Sequence, residues 1–153
     1  MKKTLFAALT LCATLLTTVG CNSSTGGLTP GNSISFTNAD GSKWQSLATI
    51  ETKSGDTSVI TASSSNADVF VLAYLNVKKT GTYYFDTPDS GLVIATYRVK
   101  SSSKTYAALP LLSTINITTL TSSAFSATFS GLFSNTASPL DTIRISNGSV
   151  TVD

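Results

Sequence analysis

Between Phe125 and Ser134, aromatic or small residues alternate with a second set made mostly of Ser and Thr. Successive side chains of a β-strand point to opposite faces, so a period of two residues predicts a strand with one buried face. A chain that carries such a strand must build a sheet, because a lone strand leaves its backbone N–H and C=O groups unpaired. The expected inward residues are Phe125, Ala127, Phe129, Gly131 and Phe133.

The same kind of pattern continues from Ser33 onward, in short runs rich in β-branched and aromatic residues that turn residues separate. No stretch of this part keeps helical periodicity over about eleven residues. About nine or ten short strands with frequent turn signals predict an all-β fold, an antiparallel β-sandwich, with a β-barrel as the alternative. Asn147-Gly148 fits either a hairpin turn or a bulge in one long strand.

Two runs predict which side chains face the core. The run from Val69 to Val77 is apolar on both phases, which predicts a central strand that is covered on both sides. An earlier run alternates, with Gln45, Thr49 and Glu51 on the opposite face. The residues expected to share one face there are Trp44, Ser46, Ala48 and Ile50.

The start of the chain has a different character. Lys2 and Lys3 precede an uncharged and mostly apolar run that ends near Leu16. That run is long enough for the apolar region of a signal peptide and short for a bilayer span. A cleaved, helical signal peptide is therefore expected before the β-rich part of the chain.

Thr18-Val19-Gly20-Cys21 ends this segment and resembles the lipobox of bacterial lipoproteins, although Thr18 stands where Leu is usual. The resemblance implies that residues 1–20 are removed and that Cys21 is acylated as the first residue of the mature protein. Two or three acyl chains anchor a protein far more durably than one. The alternative is an ordinary secretory signal that is cut near an unrelated Cys.

Removal of residues 1–20 would change the charge balance and the cysteine content of the chain, and with them the classes of function that the composition favours. The chain has ten Lys and Arg and eight Asp and Glu, and the departure of Lys2 and Lys3 leaves eight of each sign. No basic excess remains to favour nucleic acid. Cys12 also departs and Cys21 carries lipid, so no disulfide is expected and a hydrophobic core must hold the domain.

Residues 21–32 are rich in Gly, Ser, Thr and Pro and predict a flexible tether, which leaves residues 33–153 as a single domain. The tether lacks the acidic run found in some surface-exposed lipoproteins, and Asn22 is not the Asp that retains lipoproteins in the inner membrane. By association, these features favour lipid anchoring in the cell envelope, at the outer membrane with the domain on the periplasmic side rather than the cell surface.

The order of several short motifs resembles a family of small, all-β lipoproteins of unknown function from Bacteroidetes-type bacteria. The resemblance implies an envelope β-sandwich and brings no activity with it. The matching stretches are Asp40-Gly41-Ser42-Lys43-Trp44, Gly81-Thr82-Tyr83-Tyr84, Ala95-Thr96-Tyr97-Arg98, Phe129-Ser130-Gly131-Leu132-Phe133, and Ile145-Ser146-Asn147-Gly148 followed by Val150.

Catalysis is not expected from these residues. The chain has no His, the commonest general base and metal ligand, and it has no Ser-x-x-Lys or Gly-x-Ser-x-Gly motif. Asp86 and Asp89, the closest acidic pair, lie in a sequence typical of a turn. A calcium site there would need about six or more oxygens, and only these two side-chain carboxylates are local. We expect no enzyme activity, no metal and no cofactor.

Tyr84 is the candidate binding residue. Tyr83, Tyr84 and Phe85 are consecutive, so if Tyr83 and Phe85 face the core, then Tyr84 points outward. An exposed aromatic ring can stack on a sugar, with Arg98 as a weaker companion. The expected function is a non-catalytic module that binds a glycan or an envelope protein; the alternatives are a structural or assembly lipoprotein and, more distantly, a hydrolase.

Overall fold

The computed structural model describes residues 31–88 and 91–153. The predicted signal peptide, Cys21 and most of the tether lie outside these ranges. Within them the chain forms strands and turns, and ten strands follow one another along the sequence. They are β1 (Ser33–Asn38), β2 (Lys43–Gln45), β3 (Ala48–Ser54), β4 (Thr57–Ser63), β5 (Val69–Leu75), β6 (Gly81–Tyr84), β7 (Leu92–Val99), β8 (Lys104–Leu120), β9 (Phe125–Asn135) and β10 (Ser138–Val152).

All ten strands belong to one antiparallel sheet with the order β2-β1-β10-β9-β8-β7-β5-β4-β3, and β6 pairs with β8 beside this path. The sheet curls into a half-barrel, so its two halves face each other across one core. The predicted all-β, antiparallel fold is confirmed. The single continuous sheet combines the facing layers of a sandwich with the curvature of a barrel.

Aromatic rings join the two halves of the sheet. Phe36 of β1 lies 5.2 Å from Tyr97 of β7, and Phe70 of β5 stacks on Phe129 of β9 with ring centroids 5.2 Å apart. Phe125, Phe129 and Phe133 are all buried, which confirms the inward phase predicted for β9. Each such ring removes a large apolar area from water, so this cluster is the main stabilising feature of a disulfide-free core.

The chain passes from one edge of the sheet to the other at Ser46-Leu47. The Ser46 N–H donates to the Ile34 carbonyl at 2.9 Å, whereas the Leu47 N–H donates to the Ser63 carbonyl at 2.7 Å. This change of partner shifts the strand phase by one residue. The prediction that Ile50 shares the face of Trp44 is therefore wrong: Ile50 is 63% exposed, and Thr49 is buried instead.

Asn147-Gly148 forms a bulge inside β10, which settles the alternative that the sequence left open. The register with β9 shifts between Ile145 and Gly148. Asn147 has a positive φ of 51°, which Asn tolerates better than most residues. A Cβ at Gly148 would lie 2.5 Å from the ring of Phe129, so only glycine fits at this point of the ladder.

Two further irregularities flank the end of β9. Residues 109–112 of β8 bulge out between the pairs that Ala108 and Ser113 make with β9, and residues 139–141 bulge from β10 in the same way. Each bulge contains a proline, which cannot donate a ladder hydrogen bond. Both bulges project leucines into solvent: Leu111 is 67% exposed, Leu112 61% and Leu140 98%.

β5 is apolar on both faces but is not covered on both sides. It lies inside the sheet between β4 and β7, as predicted, and its inward side chains Phe70 and Leu72 are buried. On the outer face, no second layer covers it among the residues described. On that face Val71 is only 6% exposed, whereas Leu75 reaches solvent. The prediction of a double cover is wrong because one curled sheet leaves every outer face open.

Candidate functional site

Two rows of uncharged polar side chains cross the outer face of β6, β8, β9 and β10. In the first row, Tyr84 pairs with Thr114, Thr114 pairs with Ser130, and Ser130 faces the β10 bulge. The second row lies two residues further along β6, β8 and β9, where the pairing of β9 with β10 has no bulge. Its members are Thr82, Asn116, Thr128 and Ser149.

A shallow groove of about 520 Å³ runs over these rows. It lies where the bulge at Asn147-Gly148 interrupts the flat ladder, and we attribute the groove to this bulge. Hydroxyls, amides and backbone groups line it, and none of its lining residues carries a charge. The lining residues are Thr114, Asn116, Thr128, Phe129, Ser130, Ser146, Asn147, Gly148 and Ser149.

Tyr84 stands at the β6 border of this groove. Its neighbours Tyr83 and Phe85 are buried, and the Tyr83 hydroxyl donates to the Lys79 carbonyl at 2.7 Å. Tyr84 is 48% exposed, as the strand phase predicts. Directly across the ladder lies Thr114, which lines the groove, so the ring and the hydroxyl rows form one surface.

Arg98 is not part of this surface. It is exposed on β7 and pairs with Thr105, whereas Tyr84 pairs with Thr114 further along β8. Followed through β9, the register leaves about six residue steps between the two positions, or about 20 Å along the strands. The structure therefore does not bring together the two residues that the sequence suggested as partners.

Glu51 is held in a local polar group away from the groove. Glu51 accepts a 2.8 Å hydrogen bond from the Tyr74 hydroxyl and lies 3.1 Å from the Lys53 ammonium. Burial, reinforced by the Glu51 carboxylate, raises the pKa of Tyr74 to about 12. Lys53 also donates to the Ser122 carbonyl at 2.8 Å, so this group ties β3 to the β8–β9 turn.

A second polar group surrounds Asp141 at the β10 bulge. Its carboxylate accepts hydrogen bonds from the Asn135 amide and the Lys104 ammonium, both at 2.9 Å. These bonds, that of Asn135 first, hold the pKa of Asp141 below its usual value. The group holds the bulge in place and leaves no carboxylate oxygen directed into the groove, whose lining is uncharged.

Asp86 follows β6 with a positive φ of 54°, and its N–H donates to the Val93 carbonyl at 2.7 Å. Burial raises the pKa of its carboxyl. Asp89 lies outside the described residues, so the geometry of this acidic pair is not defined. Across residues 31–88 and 91–153, no group of three or more His, Cys, Asp or Glu side chains gathers as a metal site would.

The two rows of uncharged polar side chains are indicated by a second feature of the sequence, which strand phase alone did not reveal. Residues 105–140 contain no charged side chain, and this stretch covers nearly all of β8 and all of β9. A long uncharged stretch whose outward phase is Ser, Thr and Asn indicates a neutral polar surface. Its assembly into neighbouring rows depends on register, which only the structure supplies.

No family model, curated protein or solved structure matches this chain. None of the described residues belongs to a helix with the length and hydropathy needed to cross a membrane.

Proposed function

We propose that this protein is a lipid-anchored, non-catalytic binding module of the cell envelope, and that the groove beside Tyr84 binds a neutral glycan. The observation that carries the proposal is the joining of an exposed aromatic ring to uncharged rows of hydroxyl and amide groups. Sugars present the complementary chemistry, with apolar C–H faces that stack on rings and hydroxyls that both donate and accept.

The size of these interactions predicts weak binding at a single site. One stacking contact contributes about 1 kcal/mol, and each net hydrogen bond contributes about 1 kcal/mol. A few such contacts correspond to a Kd of roughly 1 mM. A glycan polymer compensates for this weakness, because it offers many repeats to many anchored copies.

Non-catalytic binding is favoured over hydrolysis by what lines the groove. Cleavage of a glycosidic bond usually requires two carboxyl groups on either side of the bond. The groove residues supply hydroxyls, amides and backbone groups, with no carboxylate among them. Glu51 and Asp141 are each held by other partners.

A glycan array tests the binding proposal. The proposed mature chain, residues 21–153 with Cys21→Ser to remove the site of acylation, is compared with the same chain carrying Tyr84→Ala. We expect binding to one or more neutral glycans and a roughly fivefold to tenfold loss on removal of the ring. Arg98→Ala is the matched control and should bind normally, since Arg98 lies about 20 Å away.

Equal binding by the wild-type and Tyr84→Ala chains would remove Tyr84 from the site. Failure of the folded chain to bind any glycan would favour the protein-binding alternative. The anchor is tested separately: labelled palmitate should appear on the wild-type protein and be lost in Cys21→Ser. Retention of the label in that variant would refute acylation at Cys21.

The second candidate function is structural or assembly, and one observation favours it. The outer face of β3, β4, β5 and β7 carries Ile50, Val59, Val71 and Ile94, so it is aliphatic where the groove face is polar. Exposed aliphatic faces commonly dock other proteins. Self-association in sedimentation experiments, abolished by Val59→Lys and unaffected by Tyr84→Ala, would favour this function over glycan binding.

Location at the outer membrane, with the domain on the periplasmic side, is part of the same proposal. So is membership in the Bacteroidetes-type lipoprotein family. Both rest on the sequence features around Cys21 and on the order of the short motifs. Fractionation of envelope membranes tests the first: enrichment in the inner membrane would contradict it.

A further inference from the structure

The three leucines of the β8 and β10 bulges, Leu111, Leu112 and Leu140, are here called the leucine tips. They lie on either side of β9, where the register places the first bulge opposite Leu132 and the second beside Ser134. Water surrounds almost the whole Leu140 side chain. Burying one such leucine in an apolar medium gains about 1.5–3 kcal/mol, so leaving all three in water forgoes a substantial stabilisation.

The bulges are held rigidly rather than left as loose loops. The Ser113 hydroxyl donates to the Leu132 carbonyl at 2.7 Å, and the Ser134 hydroxyl donates to the Pro139 carbonyl at 3.0 Å. Asp141, directly after Leu140, is fixed by Asn135 and Lys104. The sheet therefore presents the tips in a defined position.

Cationic residues lie at the same end of the sheet as the leucine tips. Arg144 pairs with Leu132 on the adjacent strand, whereas Lys104 is ion-paired with Asp141, the residue that follows Leu140. Arg98 and Lys100 lie at the end of β7 beside Asp68, whose carboxylate accepts hydrogen bonds from the Tyr97 hydroxyl and the Lys100 N–H. Among the described residues, no carboxylate lies within ion-pair distance of Arg98, Lys100 or Arg144.

We propose that the leucine tips are a membrane-contacting surface, which inserts into a leaflet that contains anionic lipid. Leucines that project singly from proline-containing bulges need no complementary pocket in a bilayer, whereas a protein partner would have to supply one. Anionic headgroups complement the unpaired cations beside the tips. The flat aliphatic face of β3–β7, by contrast, has the form expected of a protein-docking surface.

The length of chain before Gly31 allows this contact at the membrane that would hold the proposed anchor. Ser33 pairs with Thr151, which pairs with Ser126 near the start of β9, so the tips lie about 20–30 Å away along the strands. From Cys21 to Gly31, the chain spans at most about 35 Å when fully extended. The domain can therefore lie on its side with the tips against the same bilayer.

Vesicle flotation tests the inference without the acyl anchor. The proposed mature chain, residues 21–153 with Cys21→Ser, is mixed with vesicles of phosphatidylethanolamine and phosphatidylglycerol in equal parts, or with vesicles of phosphatidylcholine alone. We expect binding to the first that weakens as salt rises, since exposed charges are screened. Added to this chain, Leu140→Ser should lower the partition coefficient about tenfold.

Leu47→Ser is the matched control, because Leu47 is 70% exposed but lies between β2 and β3, the strands at the two edges of the sheet. It should bind vesicles as well as its parent chain does. Leu140→Ser is expected to fold normally, since its side chain makes almost no contact, and circular dichroism checks this. Tyr84→Ala should also leave vesicle binding unchanged, so this experiment and the glycan array can fail independently.

Three results would overturn the proposal. The first is equal binding to both kinds of vesicle. The second is an equal loss of binding in Leu140→Ser and Leu47→Ser. The third is a chain that ignores vesicles but forms a dimer that Leu140→Ser disrupts, which would assign the tips to self-association.

Discussion

The two halves of the curled sheet bury similar side chains and expose different ones. On the groove half, Thr82, Asn116 and Thr128 form an outward row that is entirely polar. On the other half, the row Thr52, Val59, Ala73 and Ile94 is largely aliphatic. Both rows lie above the same aromatic core. Inward packing therefore holds the two halves to one fold, and it leaves their outer faces free to differ in function.

The largest expected effect is the loss of the core that both halves share. Phe129 of the groove half packs against Phe70 of the aliphatic half, with ring centroids 5.2 Å apart. Phe129→Ala should lower the free energy of unfolding by about 3–5 kcal/mol, because it removes a buried ring and leaves a cavity. Urea denaturation measures this, with the outward neighbour Thr128→Ala as control. Equal effects of the two substitutions would contradict the inward assignment of Phe129.

A smaller effect appears at alkaline pH and tests the junction between the halves, where Tyr74 stacks on Phe125 at 4.7 Å. The pKa of Tyr74 is raised from 10.0 to about 12, so the folded state favours its protonated form. That stabilisation is fully present below pH 10 and is lost as the pH rises towards 12. Discounted for partial screening by solvent, the loss is about 2 kcal/mol.

The measurement is the free energy of unfolding as a function of pH, for the wild type and Tyr74→Phe. The variant should lose less stability than the wild type over this alkaline range, because it has no phenol at that position to ionise. Parallel curves would show that Tyr74 does not titrate differently in the folded and unfolded states.

The outer faces should respond unequally to truncation. Val71→Ala removes two methyl groups from a buried position on the aliphatic face and should cost about 1–2 kcal/mol. Thr128→Ala, at an exposed position of the groove face, should cost less than about 0.5 kcal/mol. Thermal unfolding of the two variants decides the point. Similar costs would mean that the aliphatic face contributes no more to stability than the polar one.

The smallest effect concerns the bulge that breaks the polar rows. Asn147 has a φ of 51°, so Asn147→Ala should cost about 1 kcal/mol from backbone strain, whereas Asn147→Gly should be nearly neutral. Chemical denaturation of both variants measures the difference. Greater harm from the glycine than from the alanine would point to a side-chain contact of Asn147 in place of backbone strain.

The two-residue periodicity of the sequence predicted which side chains of a single strand face the core and which face outward. The inward set of β9 and the outward direction of Tyr84 both follow from the two-residue repeat of a strand. Periodicity failed at Ile50 because the chain changes hydrogen-bond partner at Ser46-Leu47, and no residue type there announces the change. It failed on the covering of β5 because hydrophobicity cannot distinguish a face under a second layer from a face shielded by its own neighbours.

The candidate site could not be predicted from strand phase, because it depends on which strands pair and in which register. Tyr84 and Arg98 both neighbour β8, and their separation follows from which parts of that long strand β6 and β7 occupy. The groove requires β8, β9 and β10 to lie side by side in one register. Hydrogen bonds between distant segments decide such placements, and short patterns of residue type leave them open.

The crossing at Ser46-Leu47 has a mechanical consequence. If the proposed lipid anchor holds the N-terminus, tension on the domain would pass through β1, which is held between β2 on one side and β10 on the other. Hydrogen bonds between antiparallel strands run perpendicular to the strands, so tension along β1 loads the bonds on both sides in shear, many at once, instead of unzipping them singly. Because β2 continues through Ser46-Leu47 into β3 at the opposite edge of the sheet, part of that force also passes to β3 and its neighbour β4.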